Sequence, residues 1–140
     1  MATLNILMRI LHILSAITLL GGILAWRFGV MPALAILGEE TQRTADDAVA
    51  STWRPAVLFS VVGLLISGIY NYIRWRSGGL PPEYHAVIGV KFLLALHVLA
   101  VSILVIRPAN AKRARQLTGV AISGVVIVIL SAVLNWLRTQ

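Results

Sequence analysis

The stretch from Leu4 to Ala25 reads LNILMRILHILSAITLLGGILA, and its reading decides the fold. A bilayer core about 30 Å thick is crossed by about 20 apolar residues, each rising about 1.5 Å in a helix. This run meets that length. It lacks a basic lead, is too long for the apolar part of a signal peptide, and holds Arg9 and His12, so it reads as a retained span. Three further runs qualify: Pro55 to Ile73, Ala86 to Ile106, and Leu117 to Leu137. Four spans put both termini on one side of the membrane. Of the 140 residues 59% are hydrophobic and only 12% charged, where an ordinary domain carries roughly 25%. One small core cannot hide that much apolar surface from water, so the bilayer is the solvent.

The expected architecture is an all-α integral membrane four-helix bundle, a single four-span domain over 1–140. Trp26 to Pro32 is expected to end the first span, Ser77 to Pro82 (SGGLPP) to separate the second from the third, and Arg107 to Arg115 the third from the fourth. Within the long first loop, Glu39 to Thr52 reads as a short interfacial helix between spans one and two, with Ala45, Ala48, Val49 and Thr52 on one side. All four Trp residues fall at span ends, as an interfacial belt requires. Trp26 and Trp53 mark one membrane face; Trp75 and Trp136, with Tyr70, Tyr72 and Tyr84, mark the other. Small residues at helix-packing spacing (Gly63 with Ser67, Thr18 with Gly22, Gly119 with Ser123) are read as contacts within the bundle.

Arg27, Arg43, Arg54, Arg107, Lys112, Arg113 and Arg115 lie on the face of loops one and three, against Arg74, Arg76 and Arg138 on the terminal face. The positive-inside rule then places loops 26–54 and 107–116 in the cytoplasm and both termini outside, the membrane being a bacterial inner membrane. The net charge of +7 reflects loop charges facing anionic lipid rather than nucleic acid. No cysteine is present, which excludes disulfides, thiolate metal sites, iron-sulfur clusters and Cys nucleophiles. The Gly-Gly pairs open no phosphate-binding turn, and no acid within a span is available to orient a histidine for a Ser-His-Asp arrangement.

Ionisable groups inside spans are costly and therefore point to function. Arg9, His12, Lys91 and His97 are the four. Counted from the span starts, His12 and His97 fall near mid-membrane at similar depth on spans of the same direction, where they can face one another. Arg9 lies one turn below His12, and Lys91 about 9 Å below His97. None of the five acids shares that depth. Snorkelling explains the two cations singly, but says nothing of the histidines above them. A b-type haem accounts for all four: His12 and His97 as axial ligands, with Arg9 and Lys91 near the propionates. Copper is the alternative metal. Met8 shares the face of His12, but Met1, Met8 and Met31 are the only thioethers, a poor set for Cu(I). His85, about 18 Å from His97 along a helix, is read as interfacial.

Three segments carry a resemblance: LHILSAITLLGGILAWRFGVMPAL (Leu11 to Leu34), WRPAVLFSVVGLLISGIYNY (Trp53 to Tyr72) and YHAVIGVKFLLALHVLAVSIL (Tyr84 to Leu104). With a His early in span one followed by a Gly pair and a Pro, a Gly ending span two, and a Lys early in span three, the chain resembles the superfamily that joins the copper resistance protein D membrane domain and the HemJ-type protoporphyrinogen oxidases. The resemblance implies four spans, haem b and oxidation of protoporphyrinogen IX. His12 and Lys91 would stand for the essential His and Lys, Lys91 acting as a catalytic residue that binds a substrate carboxylate, and electrons would leave to a quinone or respiratory partner. A homo-oligomer or a subunit of a membrane complex is expected. The readings that remain beside this one are a copper-transport or copper-resistance protein and a non-catalytic accessory subunit.

Overall fold

The computed structural model describes residues 2–76 and 82–138, with side chains described for all of these but 75–76, 82–85 and 137–138. The connection over 77–81 and the side chains of Trp75, Arg76, Glu83, Tyr84, His85 and Arg138 lie outside the described residues, with the expectations placed on them. Every described element is helical: α1 (Ala2–Ala25), a π-helical turn (Trp26–Val30), α2 (Met31–Leu34), α3 (Glu39–Arg76), α4 (Pro82–Val105) and α5 (Arg113–Arg138). Four stretches are long and apolar enough to cross a membrane. The protein is an all-α integral membrane four-helix bundle.

Two boundaries differ from expectation. The first span does not end at Trp26 to Pro32; the chain keeps right-handed helical dihedrals at Ala25, Val30 and Met31, and the rod continues to Leu34. Pro32 supplies the physical reason for the π turn before it. A proline ring crowds the carbonyl one turn back and offers no N–H, and a widened turn relieves that crowding. The second difference concerns Glu39 to Thr52. It is helical, but it is no separate interfacial helix: α3 runs unbroken from Glu39 through Pro55 to Arg76. Residues 39–54 contain neither glycine nor proline, and Glu39 and Glu40 complement the dipole of the first turn. At 38 residues α3 is about 57 Å long, so its N-terminal third stands beyond the apolar segment.

Helix α1 packs against α3 and α5, and α4 against α5 and α3, which sets α1 and α4 on a diagonal. The seam between α1 and α3 is close because small residues line it. A Cβ on Gly63 would collide with the Ser15 hydroxyl, and one on Gly22 with the Trp53 ring. Packing is uneven along the axis. The buried apolar side chains lie toward loops one and three: Leu19, Ile23 and Trp26, then Val57 and Val61, Val98 and Val105, Leu117 and Val120. Toward the termini the buried side chains among the described residues thin out to Ser67, Ser123 and Leu134.

At the loop-one and loop-three face one cation organises the tight half. Arg113, counted from sequence as a loop charge, is only 3% exposed. Its guanidinium donates to the Asp46 carboxylate, to Asp47 Oδ1 at 2.7 Å, and to the carbonyls of Val105 at 3.0 Å and Arg107 at 2.7 Å. It also stacks over the Trp26 ring, 5.5 Å from its centroid. The Trp26 indole N–H donates to Asp46 Oδ1 at 2.9 Å, so this belt residue faces the bundle rather than lipid. Beside it, Arg27 Nε donates to Thr118 Oγ1 at 2.7 Å. The clamp ties the π turn, the protruding third of α3, and the start of α5 together.

Arg113→Met would leave two carboxylates facing an apolar pocket without their cation. The expected loss is about 2–3 kcal/mol of unfolding free energy in detergent micelles, below the full value for a buried pair because Asp47 is partly open to solvent. The hydrogen bond from Arg113, and then that from the Ala109 N–H, hold the Asp47 carboxyl below its ordinary 3.8. A depressed carboxylate contributes stability above its ordinary pKa and loses it as pH falls further. Melting temperature should therefore fall as pH drops below about 4, and less steeply in Asp47→Asn.

Candidate functional site at mid-membrane

Helical position sets the depth of each polar side chain. His12 stands ten residues beyond Ala2, about 15 Å along α1; Lys91 stands nine beyond Pro82, about 14 Å along α4; Ser67 stands nine before Arg76, about 14 Å from that end of α3. His97, fifteen residues beyond Pro82, is about 23 Å along α4 and nearer the opposite face. Counted from the helix starts, Lys91 is thus nearer than His97 to the depth of His12. Counting α4 from Ala86 brings the two histidines closer in depth; the helix begins at Pro82, which carries His97 about 6 Å further along.

The side-chain contacts agree with this register. His12 Nδ1 lies 2.9 Å from Ser67 Oγ, and its Cε1 lies beside Gly68, which has no side chain to obstruct it. Lys91 is half-buried on α4. The His97 ring is largely exposed and is directed at α5, with Nε2 beside Gly119. Arg9 is exposed on α1, one turn toward the terminus from His12. The four expected residues therefore divide: His12 is half-buried and held on Ser67, Lys91 is half-buried on α4, and His97 and Arg9 are exposed.

Two features of the site were not singled out from sequence. Ser67 was read as a packing residue, and it is one, being fully buried; it also touches the His12 ring. Nothing in a single sequence tells a serine that packs from a serine that holds a histidine, since both need a small hydroxyl at a helix contact. The second feature is the pair Asp46 and Asp47 on Arg113. The uninterrupted run 39–54 carries the signal for it, because a continuous α3 delivers both carboxylates to the start of α5.

No protein-family model matches this chain, and neither does any curated protein or solved structure. The site is read from its own chemistry. Among the described residues no group of three or more His, Asp or Glu is placed to hold a bare metal ion. Lys91 makes no hydrogen bond and no ion pair among them either. What stands at mid-membrane is one oriented imidazole, one cation without an anion, and the thinly packed half of the bundle around them.

A half-buried ammonium without a counter-charge costs stability, which a carboxylate ligand would offset. Lys91→Met should accordingly raise the unfolding free energy of the ligand-free protein by on the order of 1–2 kcal/mol, read from denaturant titration in micelles. A decrease would mean that Lys91 is already paired within the protein.

Proposed function

We propose that this protein is an integral membrane tetrapyrrole-binding protein that holds haem b. The observation that carries the reading is a half-buried Lys91 with no hydrogen bond or ion pair among the described residues, in a bundle whose half-buried His12 is held on Ser67. His12 would hold the iron through Nε2, and the expected second ligand, His97, would have to turn from Gly119 to reach it. Lys91 would receive one propionate, and the exposed Arg9, nearer the terminal face, another. Bound haem would supply one-electron redox chemistry. The chain's own part is to orient the imidazole through Ser67, to fix a carboxylate at Lys91 Nζ, and to exclude water with the apolar side chains of the bundle.

The proposal extends to the oxidoreductase activity implied by the resemblance. Protoporphyrinogen IX is itself an apolar macrocycle bearing carboxylates, so Lys91 suits the substrate as well as haem, and a quinone or respiratory partner would take the electrons. The same reading places the protein in a bacterial inner membrane with loops 26–54 and 107–116 cytoplasmic, as a homo-oligomer or part of a membrane complex.

Absorption spectroscopy of protein purified in mild detergent tests this directly. A Soret band with sharp reduced α and β bands is expected. His12→Ala should abolish or convert the low-spin spectrum, and Lys91→Met should weaken haemin binding about tenfold, which corresponds to about 1.4 kcal/mol. A colourless protein that retains copper would move the reading to copper handling. One that retains neither, but co-purifies with a large complex, would move it to an accessory subunit.

A further inference from the structure

The Ser67 hydroxyl has one proton, and the structure shows where it goes. Ser67 Oγ lies 2.5 Å from the Gly63 carbonyl oxygen, one turn back on α3, and 3.5 Å from that of Leu64. Two oxygens approach to 2.5 Å only with a proton between them, so Ser67 donates to Gly63 and has no second hydrogen to give. The contact of 2.9 Å between Ser67 Oγ and His12 Nδ1 must then run the other way, with the ring N–H donating to the hydroxyl oxygen. The geometry points to Ser67 as a positioning residue that fixes His12 in the Nδ1–H tautomer and leaves the lone pair on Nε2. Gly63 is part of the device. Its lack of a side chain admits Ser15 and brings α1 against α3, which seats His12 on Ser67, and its carbonyl takes the hydroxyl proton.

Among the described residues Nε2 has no hydrogen-bond partner. The site therefore presents a lone pair on Nε2 and a positive charge on Lys91. A ligand suited to both carries an electron-pair acceptor, either a metal centre or an acidic N–H or O–H, together with an anionic group. Orienting a ring nitrogen through its neighbour's hydrogen bond is the general means by which proteins select which imidazole nitrogen binds a metal or a proton. This inference rests on the proposed ligand site for its purpose, but the tautomer is a property of the protein alone.

Ring-nitrogen NMR of histidine-labelled protein in micelles, with no tetrapyrrole added, reads it. The His12 signals are assigned by their loss in His12→Gln. In the wild type Nδ1 should carry the hydrogen, with Nε2 the unprotonated, downfield nitrogen. Ser67→Ala should shift the ring toward the Nε2–H form, whereas Ser67→Thr, which keeps a hydroxyl able to bond the carbonyl one turn back, should restore the wild-type pattern. A wild-type ring protonated at Nε2 overturns the inference, and so does a Ser67→Ala spectrum unchanged from wild type. Should Ser67→Ala fail to fold, the wild-type and Ser67→Thr spectra still decide. A correct tautomer in a protein that then takes up no haemin would sink the tetrapyrrole reading and leave this one standing.

Discussion

Within hydrocarbon a polar group has no water to fall back on, and that constraint orders this molecule from end to end. Each helix meets its backbone requirement internally, so side chains hold the only polar groups left to place. Three serines bond back into their own helix: Ser102 to the Val98 carbonyl at 2.6 Å, Ser131 to that of Ile127 at 2.6 Å, and Ser67 to that of Gly63. Such bonds let small hydroxyls line helix contacts without exposing polarity to lipid. Arg113 meets the same demand at the membrane face by gathering two carboxylates and two carbonyls. Among the described residues the buried Ser15 and Ser60 hydroxyls have no hydrogen-bond partner, and the half-buried Lys91 makes no hydrogen bond or ion pair.

Much of the fold was legible because apolar length is a one-dimensional property. Spans from Leu4, Pro55, Ala86 and Leu117 follow from counting residues, and no tertiary contact can shorten them. The connections were harder to read for a reason that is equally physical. Trp26 to Pro32 carries the stop signals of a soluble helix, aromatic, basic, glycine and proline, yet within a bundle a π turn absorbs the proline and α5 takes Arg27. Glu39 to Thr52 has a polar composition that favours a surface location, and composition is silent on whether such a helix lies flat or continues upward. Only the pairing of Asp46 and Asp47 with Arg113, some 66 residues away in sequence, shows what the extension is for.

The site was legible in its parts and less so in its register. Arg9, His12, Lys91 and His97 announce themselves by the cost of placing such residues in a span. Their relative depth depends on where each helix begins, and a shift of four residues at the start of α4 carries His97 away from the depth of His12, counted from the helix starts. Small residues posed the reverse difficulty. The Gly63 and Ser67 pair reads correctly as a packing device, but packing and positioning are one act here, since the approach that Gly63 permits is what seats the His12 ring on the Ser67 oxygen.

The uneven packing along the axis gives these details a common direction. Tryptophan, valine and leucine fill the bundle toward loops one and three, the Arg113 clamp closes that end, and buried side chains become sparse toward the termini. A bundle tied at one end and thinly packed at the other can change the spacing of its open half without disturbing the tied half, because the two share helices but few side-chain contacts. The His12 imidazole is held at the seam of α1 and α3 by Ser67, while Lys91 is carried on α4, which packs more against α5 than against α3. The ring is tied to α3 through Ser67, whereas Lys91 has no such tie among the described residues.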